Sequence, residues 1–308
     1  MEQFSIRSTD QKTDLAAYRF VPQNPRAMVQ ISHGMCEYIL RYTPFAEYLA
    51  SLGILVFGHD HLGHGQSAKS SDDLGFTAEG GGADLLVDDV HQLSLFMKEQ
   101  YPSLPLILFG HSMGSFIARD VLTKYGKDYA AAIICGTGGP ETPAALGRVL
   151  ASLLIKLQGE RHRSPLLKKI SFMGYNKKFG KGCDKNAWLT RDGEIIDRYR
   201  SDPFCSFVFT LRAYHDLFTL VERVSKKEWA NQLPKDLPIL LVSGEMDPVG
   251  GFGKGVRTVG ERIANAGILD LTVKLYPDMR HEILNEIDKE TVWKETMEWI
   301  EQRLPSQI

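Results

Sequence analysis

Along the chain, short apolar runs alternate with longer stretches in which apolar positions recur every three or four residues. The first pattern is that of a strand buried on both faces, the second that of an amphipathic helix. Runs at 28–32, 54–58, 106–109, 131–135, 239–243 and 272–276 are aliphatic and β-branched enough to be expected as strands buried on both faces. Two more, 4–8 and 15–20, flank the polar 9–14 and are expected to open the chain as an antiparallel hairpin. Helical spacing covers 44–52, 84–100, 113–125, 256–266 and 292–303. The alternation predicts βαβ units with right-handed crossovers, hence an α/β fold whose mostly parallel, eight-stranded sheet is flanked by helices.

The rhythm breaks between 138 and about 237, where helical spacing continues without buried strands. A helical cap insertion is therefore expected at 140–232, dividing an α/β core into 1–139 and 233–308. Its first part carries Leu146, Val149, Leu150, Leu153, Leu154 and Leu157 on one apolar face, suited to pack on the core or to face a lipid. Residues 141–190 hold ten Lys or Arg against three acids, Glu141, Glu160 and Asp184. That excess reads first as a solvated face, and second as a surface for transient membrane contact or for an anionic substrate.

Composition narrows the class. A chain of 308 residues with 43% hydrophobic and 24% charged positions can bury a large core and is not a disordered polymer. Its formal net charge of -2 supplies no global field for nucleic acid, so no nucleic-acid partner is expected. Cys36, Cys135, Cys183 and Cys205 form no CxxC pair, which argues against a zinc ribbon or a disulfide scaffold. The first residues lack a basic segment followed by an apolar run, and 144–157 is interrupted by Arg148 and Lys156. A reducing cytoplasm is the expected location.

The chemistry concentrates in Pro105-Leu106-Ile107-Leu108-Phe109-Gly110-His111-Ser112-Met113-Gly114-Ser115, a buried strand running through GxSxG into an amphipathic helix. This is the pattern of a nucleophile elbow, in which a strained turn lifts the serine hydroxyl clear of the sheet and flanking glycines remove colliding side chains. The N–H groups at the helix start face the same point and favour an oxyanion there.

A serine hydroxyl needs a base, and in this arrangement the partners follow in the order acid, then histidine. Of nine histidines, only His215 and His281 lie late enough, and His215 precedes any strand end able to bear the acid. His281 follows the last expected strand and is expected as the general base. Asp247, just after 239–243, is the expected acid; Glu245 is nearer the strand, and Asp278 is so close to His281 that the loop would have to double back. The loop after 28–32, His33-Gly34-Met35-Cys36-Glu37, offers the Met35 N–H as an oxyanion donor beside that of Met113.

Taken together, His33-Gly34-x-x-Glu37-x-x-x-Arg41-Tyr42, Asp60-His61-x-Gly63-His64-Gly65-x-Ser67, Gly110-His111-Ser112-Met113-Gly114 and Arg280-His281-Glu282 resemble the monoacylglycerol lipase and lysophospholipase group of serine aminopeptidase S33-type α/β-hydrolases. The resemblance spans nearly the whole chain. It implies an α/β-hydrolase core with a helical cap, no metal or organic cofactor, and a small-molecule carboxylic ester or monoacyl lipid as substrate. It also implies Ser112, Asp247 and His281 as the triad, with Met35 and Met113 as oxyanion donors. Cys36, Tyr38 and Ser115 depart from the group, where Gly, His and a second Gly are common.

A short-chain carboxylesterase is the nearest alternative. The same triad also serves aminopeptidases, thioesterases and acyltransferases, and the fold occurs in binding proteins that have lost a triad member. His59, Asp60, His61 and His64 match no zinc spacing, and 250–255 lacks the Ser or Thr of a phosphate loop.

Overall fold

The computed structural model describes residues 1–140 and 143–304; Glu141, counted above among the acids, lies outside them. Eight strands form one sheet: β1 (Glu2–Arg7), β2 (Asp14–Phe20), β3 (Ala27–Ser32), β4 (Ile54–His59), β5 (Leu106–His111), β6 (Ala131–Cys135), β7 (Ile239–Gly244) and β8 (Leu271–Tyr276). Their order is β1-β2-β4-β3-β5-β6-β7-β8. β1 pairs antiparallel with β2, and β2 with β4; every other pairing is parallel.

Helices cover both faces because consecutive residues of the central strands, which point to opposite sides, are apolar. Leu106 and Leu108 of β5 face one layer, with α2 (Gly82–Gln100), α3 (Met113–Tyr125) and α8 (Lys254–Asn265). Ile107 and Phe109 face the other, with α1 (Thr43–Ser51) and α9 (Lys289–Glu301). The expectation of burial on both faces fails at β8, where only Tyr276 is buried and Val273 is exposed. β8 ends the sheet, so one of its flanks has no neighbouring strand and its outer positions meet solvent.

Between β6 and β7 the chain forms α4 (Ala144–Gln158), α5 (Pro165–Ser171), α6 (Gly193–Ser201) and α7 (Leu211–Ser225). Side-chain caps start three of them: Ser164 accepts from Leu167 N, Asp192 from Glu194 N and Ile195 N, and Thr210 from Ala213 N. α7 packs on α2, α3 and α4. The apolar face expected on α4 divides in two. Leu150 and Leu154 pack inward, whereas Leu146, Val149, Leu153 and Leu157 form an exposed ridge. No helix among the described residues is long and apolar enough to cross a membrane.

Candidate active site

Ser112 stands between β5 and α3 with φ 53° and ψ -120°, a conformation L residues adopt only where the surroundings hold them. The hold is visible in the backbone. Ser112 N donates to Cys135 O at 3.0 Å, and a side chain at Gly114 would run into the carbonyl oxygens of Ser32 and His33. The elbow therefore presses against the end of β3, and glycine is what lets it do so.

The structure brings Ser112, His281 and Asp247 into line. Ser112 Oγ lies 2.8 Å from His281 Nε2, and His281 Nδ1 lies 3.0 Å from Asp247 Oδ2. Asp247 also accepts from Ser243 Oγ at 3.1 Å and from Val249 N at 2.8 Å. Burial pushes its carboxyl pKa up, but the charge of His281 and these hydrogen bonds outweigh that and hold it below the usual range. Of the other acids weighed, Glu245 sits at 3.8 Å from Arg257 in an exposed pair, and Asp278 is exposed in a tight turn. His215 lies on α7 beside Asp216.

Met113 begins α3, and among the described residues its N–H is committed to no carbonyl. The same holds for Met35, in the turn that follows β3. That turn touches the nucleophile closely enough for a Cβ at Gly34 to collide with Ser112 Cβ. Two free donors beside a serine hydroxyl are what an oxyanion would need.

Beneath these groups lies a polar floor. Glu37 Oε1 accepts from Gly34 N at 2.5 Å and Tyr42 OH at 2.8 Å, and meets His111 Nδ1 at 3.1 Å. Arg41 Nη1 donates to Glu37 Oε2 at 2.8 Å, and Arg41 grips both oxygens of Glu282 at 2.9 and 2.7 Å. His111 Nε2 faces His281 O at 3.3 Å. Tyr42 OH also lies 2.9 Å from His111 Nδ1, so the proton at Nδ1 is shared out among Tyr42, Glu37 and the ring, while Nε2 donates to the His281 carbonyl. Burial opposes a charge on the ring, but Glu37 overrides it and raises the His111 pKa. With His111 protonated, the cluster holds two anions and two cations and is neutral as a whole.

Sequence reasoning saw Glu37, Arg41 and His111 only as motif letters. The signals for the floor were the Glu37–Arg41 spacing of four and Glu282 directly after His281. Trp188 had no signal. It reaches in from the segment between α5 and α6, its carbonyl accepts from His281 N at 3.3 Å, and its ring lies 5.1 Å from the His281 ring.

Ser112 and His281 open into a cavity of about 850 Å³ lined mainly by apolar side chains, among them Met113, Phe116, Leu150, Leu167 and Phe218. That volume lies within the usual range for small-molecule sites. Cys36 also borders it. The thiol is buried, its pKa pushed up by burial, and Sγ lies 3.5 Å from Phe207 O.

Residues 23–288 match the family model of serine aminopeptidase, S33. The chain belongs to this family. As a member of the S33 family it is 30% identical to the human monoglyceride lipase, over 91% of this chain and 84% of that one. It is 26% identical to a monoacylglycerol lipase of Mycolicibacterium smegmatis, covering 90% of this chain and 89% of the other. A thermostable carboxyl esterase from Bacillus coagulans, solved with glycerol, superimposes with a TM-score of 0.92 at 30% identity, over 99% of both chains. This S33 member is thus an α/β-hydrolase and a serine ester hydrolase.

His59, His61 and His64, which sequence spacing separated from zinc chemistry, sit behind the site with His33. His33, His59, His61 and His64 are buried together, with His33 and His61 ring centroids 4.2 Å apart. Among the described residues no group of three or more His, Cys, Asp or Glu side chains is arranged to hold a metal ion. Hydrogen bonds such as His61 N to His33 Nε2 at 2.9 Å, and His33 Nδ1 to Gly34 O at 2.8 Å, brace the turn that follows β3.

Proposed function

We propose that the chain hydrolyses monoacylglycerols and related monoacyl esters of medium to long chain through an acyl-enzyme on Ser112. The observation that carries this reading is a hydroxyl paired with its base on the floor of a roofed, apolar cavity of about 850 Å³. Ser112 Oγ attacks the ester carbonyl while His281 Nε2 takes its proton, and Asp247 steadies the imidazolium. The Met35 and Met113 N–H groups receive the oxyanion. His281 returns the proton to the departing alcohol, and a water activated by His281 then releases the acid. No other group is required in these steps.

Residues 140–232 act in this reading as the cap that selects acyl chain and alcohol. Its ridge, Leu146, Val149, Leu153 and Leu157, is the surface on which transient membrane contact is proposed. A second reading, a lysophospholipid with an anionic alcohol, is favoured by Lys168, Lys169 and Lys185. These exposed lysines border the cavity and pair with no acid among the described residues. A reducing cytoplasm is proposed from four cysteines that are all unpaired.

The test is a panel of monoacylglycerols, lysophospholipids, amides, thioesters and p-nitrophenyl esters of graded chain length, with a fluorophosphonate probe. Long monoacyl esters should be preferred, and Ser112→Ala should abolish labelling and lower kcat by about 10⁴-fold or more. Activity confined to acetyl and butyryl esters would reject the lipid reading. Failure of the wild-type protein to label would reject the mechanism.

A further inference from the structure

Arg119 lies on α3, seven residues after Ser112, and is 2% exposed. A guanidinium taken out of water normally meets a carboxylate, because desolvating it alone costs several kcal/mol. Among the described residues Arg119 has no carboxylate partner, and burial and the charge of another cation, Arg262, both lower its pKa. Its hydrogen bonds go elsewhere. Nη1 donates to Thr137 Oγ1 and to Gly138 O, each at 3.2 Å, and Nη2 donates to Val224 O at 2.5 Å. The guanidinium stacks on Trp229, 4.2 Å from the ring centroid.

These partners share one property. Thr137 and Gly138 are where the chain leaves β6 for the cap, Val224 ends the last cap helix, and Trp229 sits in the short turn leading back to β7. A single side chain on the helix that carries the nucleophile therefore grips both stems of the cap. The stems also form cavity wall: Gly138 lines it against Phe116 of α3, and Val221 lines it one turn before Val224.

The geometry points to Arg119 as a positioning residue that locks both cap stems to the nucleophile helix and so sets the width of the acyl pocket. The inference rests on the proposed acyl-transfer reading for its kinetic consequence, but not for its structural one. Carbonyls at two points far apart in sequence are drawn to one planar donor set, and lysine, with a single ammonium, cannot span them as a fork does.

Three variants test it: R119M, R119K and T137V, the last removing one acceptor from the clamp. In R119M, KM for esters of about twelve to sixteen carbons should rise about tenfold, while kcat on butyrate and Ser112 labelling stay within about twofold. R119K should recover part of the loss, and T137V should show the same pattern, smaller. Loss that is equal at every chain length, or absent, would overturn the assignment. Amide exchange decides the point without any substrate: around Gly138 and Val224 it should quicken together, about tenfold, while β5 is unchanged. Quickening at one stem only, or throughout the molecule, contradicts a shared clamp.

Discussion

Below the cavity, Glu37, His111 and Glu282 are buried, Arg41 is mostly so, and they pair with one another; above it, Lys168, Lys169 and Lys185 are exposed and pair with nothing described. The apolar residues differ in the same way. Those of β3 to β7 are enclosed, while the α4 ridge leaves Leu146 75% and Leu157 80% exposed. The floor must hold donors and acceptors within tenths of an ångström of where charge develops, so its charges are neutralised in advance, at folding. The roof leaves one apolar face of α4 to solvent while its other face packs on α7.

Behind the floor, four histidines brace the turn after β3 as buried neutral groups, and acid should undo this brace first. His33, His59, His61 and His64 all have pKa values lowered by burial, His59 to about 3 and His64 to about 4. Above pH 6.5 they are neutral both folded and unfolded. Between pH 6.5 and about 4 the unfolded chain binds protons that the folded one refuses, so stability falls with pH. The expected loss is on the order of 1 kcal/mol per pH unit for each histidine. Urea titrations between pH 8 and pH 4 measure it; a flat profile through that window would mean the cluster opens to solvent.

A smaller perturbation separates floor from roof kinetically. H111N and E37Q each remove one charge from the neutral cluster and loosen the turn that follows β3, so kcat should fall about 10²-fold with KM nearly unchanged. Steady-state assays on a soluble ester read this out, and a change in KM alone would assign these residues to substrate binding instead.

The roof gives the smallest effect. Replacing Leu153 and Leu157 by glutamate should leave turnover of soluble butyrate esters untouched and lower turnover on monoacyl-lipid vesicles about tenfold, with weaker cosedimentation. Equal activity in both assays would leave the ridge without a membrane role.

Much of the core was legible because its signals are local. Both-face burial marks β3 through β7, and helix ends fell within a few residues of the expected positions because the apolar period changes there. Ser112, Asp247 and His281 were singled out by order and by their place after strands, and the structure sets them side by side. The edge position of β8 was not legible, since strand order is a property of pairing and not of composition. Nor was the division of α4 into inward and outward faces, because Leu150 and Leu153 are the same residue type and only their neighbours differ.

By itself, then, the sequence determined the elements, the elbow and the residues able to carry acyl transfer, because period, turn chemistry and chain order are written in consecutive positions. Tertiary structure alone decided that Trp188 backs His281, that His111 is caught between Glu37 and a carbonyl, and that Arg119 bonds both Gly138 and Val224. Each of these joins segments remote along the chain, and a side chain's partners, burial and charge state follow from what the fold brings against it.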